Sequence, residues 1–239
     1  MKTPGSRLWG LIAAAGAGER IGGPVPKQYH QLGGQTVLAW SLQAILAVPA
    51  LQGVMVVTAR SDAGEKSLAE ATDPRIHGCP GGATRVESVS AGLRALRDLG
   101  ATDQDRVLVH DAARPAVQTA DIVRLVEAVD DNPDGGLLAV PVRDTLKRAD
   151  DRGRVADTVS RASLWQAMTP QLFPLGRLID ALEFSQRQQT EVTDESQAME
   201  QMGASPLLVQ SPMTNIKYTW ESDRRWLETI LGCNAGEHR

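Results

Sequence analysis

The sequence is poor in cysteine, has no surplus of positive charge and contains no long apolar run. Its 239 residues include two cysteines, Cys79 and Cys233. No metal-ligand spacing surrounds them, which excludes a disulfide framework and a cysteine-ligated metal centre and fits a reducing cytoplasm. The net charge of −4 gives no indication of general binding to nucleic acid or to a membrane surface. No stretch approaches the roughly 18 apolar residues of a membrane-spanning helix.

Several common catalytic motifs are also missing. The Walker pattern G-x-x-x-x-G-K-[ST] is absent, and the dinucleotide-binding pattern G-x-G-x-x-G is broken at Ile21. The four histidines show no common spacing, and no Ser-His or Cys-His pairing is apparent. The sequence therefore gives no indication of a covalent nucleophile.

The first apolar run, residues 8–13, is followed by a loop of small residues. Basic residues precede this run, as they do in a signal peptide, but Gly10 within it and the charged loop after it favour a first β-strand. Gly16 and Gly18 allow backbone N–H groups to approach an anion, and Arg20 and Lys27 add positive charge. The segment predicts a site for a phosphorylated ligand.

Strand-like and helix-like patterns alternate along the rest of the chain. Short apolar runs at 53–59, 106–109 and 136–142 predict buried strands, and apolar stripes at 36–46, 85–99 and 121–129 predict helices. This alternation predicts an α/β fold with a doubly wound, mostly parallel sheet, and we expect a single domain over 1–239. Ligands of such sheets bind at the carboxyl ends of the strands, where the glycine loop falls.

Residues 143–162 form a polar stretch that interrupts the alternation of strand-like and helix-like patterns. The turn sequence Asp150-Asp151-Arg152-Gly153 lies between two segments that alternate with a period of about two, which predicts a β-hairpin. A long polar hairpin buries little of itself. We therefore expect it to be either a mobile flap or an arm that meets another subunit.

Eight short motifs run along nearly the whole chain. They are AAAGAGERI at 13–21, PKQY at 26–29, GGATRVESV at 81–89, VHDAARP at 109–115, PVRDTLKR at 141–148, LWQAMTPQLF at 164–173, TDES at 193–196 and NIK at 215–217. In this order and spacing they resemble the 2-C-methyl-D-erythritol 4-phosphate cytidylyltransferases of non-mevalonate isoprenoid synthesis. The resemblance implies a Rossmann-like nucleotidyltransferase in which a phosphorylated sugar alcohol attacks CTP and pyrophosphate leaves.

The resemblance also implies roles for residues that would handle CTP. Those that would cradle its phosphates are Ala14, Ala15, Gly16 and Gly18. Those that would stabilise the transition state at the α-phosphorus are Arg20, Lys27 and Lys217. Those that would bind the cytosine ring and ribose are Gly82, Arg85 and Ser88. Ala83 departs from the family, whose members often carry an acidic residue there.

A further set would handle the acceptor. By resemblance, Asp111 would bind a substrate hydroxyl or Mg²⁺, and Arg114 would lie near the sugar phosphate. Thr145 and Arg161, on the predicted arm, would reach across a homodimer into the partner's site. Thr169 would add a hydroxyl to the pocket that receives such an arm. Ser160 stands before Arg161 where aspartate is common.

Some of these residues also have simpler interpretations. Thr84 and Glu87 have the spacing of a helix-capping box, and Asp194 that of a helix N-cap. We interpret His110 as a residue that packs at a strand end.

Three alternative functions remain open from the sequence. A ribitol- or glycerol-phosphate cytidylyltransferase would share the loop and fold, but in such relatives residues 110–115 read more like HDSVRP and the arm lacks RDTLKR. A sugar-1-phosphate nucleotidyltransferase for another base fits PKQY, TPQ and NIK less well. A non-catalytic nucleotide-binding module would not need Arg20, Lys27, Asp111 and Lys217 together.

Overall fold

The apolar runs form the central sheet of the protein. A computed structural model describes residues 5–16, 21–59, 72–130 and 132–233. Within these ranges the strands are β1 Leu8–Ala14, β2 Gln31–Leu32, β3 Gln35–Thr36, β4 Leu51–Thr58, β5 Ile76–Pro80, β6 Arg106–Asp111, β7 Gly136–Pro141, β8 Leu146–Ala149, β9 Val155–Val159, β10 Trp165–Pro174 and β11 Leu207–Gln210. The helices are α1 Val37–Leu46, α2 Arg85–Asp98, α3 Thr119–Val129, α4 Leu175–Arg187, α5 Glu195–Gln201 and α6 Asp223–Ile230, with a 3-10 turn at Lys27–Tyr29.

The seven-stranded sheet has the order β11-β7-β10-β6-β1-β4-β5. Its neighbouring strands are parallel, except that β10 runs antiparallel to both β6 and β7. The chain passes from β1 to β4 on one side and later returns to β6 on the other. This reversal makes the carboxyl ends of β1 and β6 a topological switch point, where such sheets bind ligands.

Side chains of β1 alternate between two cores, as the period of a strand requires. Leu11 packs with Leu93 of α2 and Leu178 of α4 on one face of the sheet. Ile12 packs with Ile45 of α1 and Ile122 of α3 on the other. Helices on both faces confirm the predicted α/β class, and the six segments predicted as strands or helices begin and end within two residues of their expected bounds. None of the helices in the described ranges is long and apolar enough to span a membrane.

Two helices begin as their sequences indicate. The Thr84 hydroxyl accepts a hydrogen bond from the Glu87 N–H at 3.1 Å, and a Glu87 carboxylate oxygen accepts one from the Thr84 N–H at 3.1 Å, so the capping box of α2 is confirmed. The Asp194 carboxylate accepts from the Gln197 N–H at 2.9 Å and caps α5. The loop before α2 packs against Ala15, which follows β1, and Glu195 at the start of α5 contacts Arg85 at the start of α2.

The predicted hairpin is confirmed as β8 and β9, which pair with each other in a two-stranded sheet of their own. Almost all of its side chains are exposed, and Val155 leaves 65% of its surface in contact with solvent. The ion pair between Arg148 and Asp157 is exposed on both sides, so it contributes little to stability. The arm is therefore an exposed projection of this chain.

Candidate active site

A cleft of about 390 Å³ opens at the carboxyl ends of β1 and β6. The predicted site residues that line it are Ala14, Ala15, Gly16, Lys27, Gly82, Arg85, Ser88, Asp111 and Lys217. Gly18 and Arg20 lie outside the described residues. Residues from Ala13 to Lys217 thus meet in one cleft, as expected for loops that follow neighbouring parallel strands.

The described part of the glycine loop is supported by Gln28, a residue to which sequence analysis gave no role. Its side chain is buried, and its amide donates to the carbonyls of Ala14 at 2.7 Å and Gly16 at 3.1 Å. These bonds hold the end of β1 against the turn that carries Lys27. In the sequence, the position of Gln28 within the PKQY motif could have indicated a role for it.

The two glycines at the start of the α2 loop are needed for close approach. A Cβ on Gly81 would lie 2.6 Å from the Cβ of Ala15 and 2.8 Å from the Ser88 hydroxyl oxygen. A Cβ on Gly82 would collide with Glu87. The Gly82 N–H donates to the Ser88 hydroxyl at 3.2 Å. The loop predicted to bind the nucleoside therefore packs directly against the loop predicted to bind the phosphates.

Lys27 and Lys217 bring positive charge into the cleft from opposite ends of the sequence. Lys27 Nζ donates to the Tyr218 carbonyl at 2.9 Å, which ties the first loop to the segment after the NIK motif. Lys217 Nζ lies 2.8 Å from Asp111 Oδ2. Two ammonium groups in one cleft favour a polyanionic ligand such as a triphosphate.

Asp111 is the carboxylate around which the cations gather. Its oxygens lie 2.5 Å from Arg85 Nη1, 2.8 Å from Lys217 Nζ and 3.6 Å from Arg114 Nε. Burial would raise the pKa of Asp111, but the charges of Arg85, Lys217 and Arg114 outweigh it and hold that pKa well below its usual value. Asp111 is therefore ionised at neutral pH.

Glu195 is a second buried acidic partner of Arg85, and sequence analysis missed it. It follows the Asp194 cap of α5, is 2% exposed, and accepts two hydrogen bonds from Arg85, from Nε at 3.1 Å and from Nη2 at 2.9 Å. Burial alone would lower the pKa of Arg85, yet Glu195 and Asp111 raise it above its usual value. Arg85 thus stays charged, and its guanidinium is held in place where it lines the cleft.

The remaining predicted residues lie beside or away from the cleft. Arg114 and Thr169 are next to Asp111 but do not line the cleft. Arg114 donates to the Asn215 carbonyl at 2.8 Å, and the Thr169 hydroxyl bonds to His110 and to the Asp111 N–H. Thr145 and Arg161 are exposed on or near the arm and are absent from the lining of the chain's own cleft. Their roles stay predictions.

A metal site built from the protein alone is not found in the described part of the chain. No group of three or more His, Cys, Asp or Glu side chains is placed there to hold an ion. Both oxygens of Asp111 already face cations. The residues fit Mg²⁺ only where substrate phosphates supply most of its ligands, as they usually do.

The sheet topology and the cationic cleft at its switch point together define an α/β nucleotidyltransferase. A model of the family described as IspD, 2-C-methyl-D-erythritol 4-phosphate cytidylyltransferase, matches residues 8–232. The chain therefore belongs to the 2-C-methyl-D-erythritol 4-phosphate cytidylyltransferase family, and it is an enzyme of the nucleotidyltransferase class.

Similar proteins cover nearly the whole chain. The 2-C-methyl-D-erythritol 4-phosphate cytidylyltransferase of Ectopseudomonas mendocina (strain ymp) is 48% identical over 222 residues, which are 93% of this chain and 94% of the relative. The crystal structure of a 4-diphosphocytidyl-2C-methyl-D-erythritol synthase has a TM-score of 0.83 at 37% identity and covers 95% of this chain and 99% of its own. The 2-C-methyl-D-erythritol 4-phosphate cytidylyltransferase of Francisella tularensis has a TM-score of 0.82 at 33% identity, with 94% and 100% covered. The predicted family and fold are confirmed.

Proposed function

We propose that the cleft transfers a cytidylyl group from CTP to 2-C-methyl-D-erythritol 4-phosphate. The products are 4-diphosphocytidyl-2-C-methyl-D-erythritol and pyrophosphate. One observation beyond family membership carries this proposal: Lys27, Lys217 and the Arg85–Asp111 pair meet in one cleft at the switch point. That arrangement supplies charge for a triphosphate and a carboxylate for an acceptor hydroxyl.

The reaction needs positioning and charge more than a covalent nucleophile. An oxygen of the acceptor's 4-phosphate forms a bond to the α-phosphorus of CTP as the bond from that phosphorus to the α,β-bridging oxygen breaks, and pyrophosphate leaves. Negative charge builds on the non-bridging and leaving oxygens, where Lys27, Arg20 and Lys217 stabilise it. No cysteine or histidine is among the described residues that line the cleft.

We propose that Mg²⁺ enters with the triphosphate. Asp111 is the only carboxylate among the described lining residues, and it is engaged by cations, so phosphate oxygens would supply most of the metal's ligands. When bound, the ion would neutralise phosphate charge.

We also propose a cytoplasmic homodimer whose arms complete each other's sites. The two free thiols, Cys79 and Cys233, fit a reducing compartment. The exposed arm carries Thr145 and Arg161 away from the chain's own cleft lining, and β8 and β9 pair only with each other in the described sheets. A partner's cleft would receive these side chains, and Arg161 would bind the terminal phosphate of the acceptor.

Subunit mixing tests the shared site. Lys27→Ala removes a cation from the cleft and Arg161→Ala removes one from the arm, so each variant homodimer should be nearly inactive. A mixed dimer would have one site with neither change, and mixing equal amounts under exchange should restore about a quarter of wild-type activity. The matched control mixes Lys27→Ala with Lys217→Ala; both changes lie in the cleft, so no activity should return. Restoration in neither mixture, with exchange verified by native mass spectrometry, would contradict a shared site.

The proposed reaction is tested by pyrophosphate release. Purified protein with CTP, Mg²⁺ and 2-C-methyl-D-erythritol 4-phosphate should release pyrophosphate, and mass spectrometry should find the CDP-alcohol. Replacing CTP by UTP, or the acceptor by ribitol 5-phosphate or glycerol 3-phosphate, should lower kcat/KM. Faster turnover with ribitol 5-phosphate would overturn the proposed substrate.

A further inference from the structure

His110 lies at the end of β6, fully buried and one residue before Asp111, and it does not line the cleft. Its place in the sequence predicts a residue that packs at a strand end. Both of its ring nitrogens nevertheless have polar partners. Nδ1 lies 2.9 Å from the Thr169 hydroxyl oxygen, and Nε2 lies 3.2 Å from the Arg114 carbonyl oxygen.

These partners determine where the histidine proton sits. A carbonyl oxygen only accepts hydrogen bonds, so Nε2 must carry the proton that it donates to Arg114. The Thr169 hydroxyl accepts the Asp111 N–H at 3.0 Å, which leaves its own proton to be donated to Nδ1. A neutral imidazole protonated on Nε2 satisfies all three groups together.

The same bonds are part of a closed ring of hydrogen bonds beside Asp111. Arg114 Nη1 donates to the Asn215 carbonyl at 2.8 Å, and the Asn215 side-chain amide donates to the Thr169 carbonyl at 2.9 Å. The ring therefore joins the end of β6, the turn after it, the middle of β10 and the segment that carries Lys217. The Asp111 backbone and the Arg114 backbone are both held by His110, directly or through Thr169.

We infer that His110 is a positioning residue for cytidylyl transfer: through the Thr169 hydroxyl and the Arg114 carbonyl it fixes the Asp111 carboxylate where the acceptor binds and holds the Arg114 guanidinium beside that carboxylate. The inference rests on the proposed function. In this arrangement the Thr169 hydroxyl donates a hydrogen bond to His110 and accepts one from the Asp111 backbone N–H. The neutral state is favoured because burial lowers the pKa of His110 to about 4; the charge of Asp111 opposes this, whereas those of Arg114 and Arg85 add to it.

Three variants separate the two hydrogen bonds of the ring. His110→Asn keeps an acceptor near the Thr169 hydroxyl, His110→Gln keeps a donor near the Arg114 carbonyl, and His110→Phe keeps neither. His110→Phe should lower kcat about 10- to 100-fold, because displacing a reacting group by about 1 Å costs that much. Asn and Gln should fall between Phe and the wild type, and the KM for CTP should change less than the KM for the acceptor.

A double-mutant cycle tests whether His110 acts through Thr169. Thr169→Val removes the hydroxyl, and Thr169→Ser keeps it. If the two residues act as a unit, His110→Phe/Thr169→Val should be about as active as His110→Phe alone, and Thr169→Ser should keep most of the activity. The inference would be overturned if the activity losses of His110→Phe and Thr169→Val multiply in the double variant. It would also be overturned if kcat is unchanged in a folded His110→Phe variant. Equal loss in both KM values together with a large drop in melting temperature would indicate a merely structural residue and would also overturn it.

A spectroscopic measurement decides the tautomer without any substrate. Long-range ¹H–¹⁵N spectra of the full-length protein should resolve its four histidines, and the His110 signal would be identified by its loss in His110→Asn. The Nε2–H pattern is expected, and it should shift in Thr169→Val but not in Thr169→Ser. An Nδ1–H pattern would contradict the ring. Because this readout needs no turnover, failure of the proposed reaction and failure of the ring are distinguishable.

Discussion

Replacing Lys27 with alanine should lower kcat about 100- to 1000-fold, the usual loss when one well-placed donor to a transition state is removed. Lys27 lines the cleft beside the glycine loop, where its ammonium would face the phosphates of CTP. It lies on a 3-10 turn rather than in the core, so the variant should fold. Single-turnover pyrophosphate release and circular dichroism measure the two effects.

A matched control is Arg187→Ala, which removes one positive charge from an exposed position on α4 that does not line the cleft. Its kcat should equal that of the wild type. Lys217→Ala should be impaired to a degree similar to Lys27→Ala. If both ammonium groups stabilise the same transition state, the double variant should be less impaired than the product of the single losses. Near-normal turnover of Lys27→Ala would remove Lys27 from the mechanism.

Much of the site could be predicted because it lies at strand ends. The apolar runs of β1 and β6 are each followed directly by polar or small residues, and parallel strands bring such loops to one edge. Local sequence therefore indicated that Gly16 and Asp111 belong to one region. Lys217 was different: it follows no recognised strand, and only the NIK motif pointed to it.

The course of β10 could not be predicted in this way. A short apolar stretch carries no information on the direction of a strand or on its neighbours, and β10 enters the sheet antiparallel between β6 and β7. That placement puts Thr169 beside His110 and Asp111. The hydrogen-bond ring thus depends on contacts of Thr169 with Asp111 and His110, which lie 58 and 59 residues earlier in the sequence.

Glu195 shows the same limit for a side chain. Two adjacent acidic residues before a helix are typical of a cap, and Asp194 does cap α5. Helix geometry turns the next side chain inward, and Arg85 lies 110 positions earlier in the sequence. The local sequence therefore indicates the helix start but not the ion pair.

Changing Asp111 to asparagine should lower kcat at least about 100-fold and reduce the free energy of unfolding by about 3 kcal/mol, because a buried charge pair would be broken. The carboxylate faces Arg85, Lys217 and Arg114, and a neutral amide would remove the negative charge that these three cations share, leaving Arg85 with Glu195. The pKa of Asp111 is lowered in the folded protein. Its contribution is therefore present above about pH 3.9, the unfolded value, and is lost as the pH falls through the folded pKa, so the stability gap between wild type and variant should narrow in acid.

Glu195→Gln is the isosteric comparison that separates charge compensation from a role in the reaction. Glu195 also neutralises Arg85 from a buried position, but it does not line the cleft. We expect a stability loss similar to that of Asp111→Asn, measured by urea unfolding, and a loss in kcat of about 10-fold or less, since only the position of Arg85 is affected. Equal losses in kcat would mean that Asp111 acts only by holding Arg85, and the acceptor hydroxyl would then need another partner in the cleft.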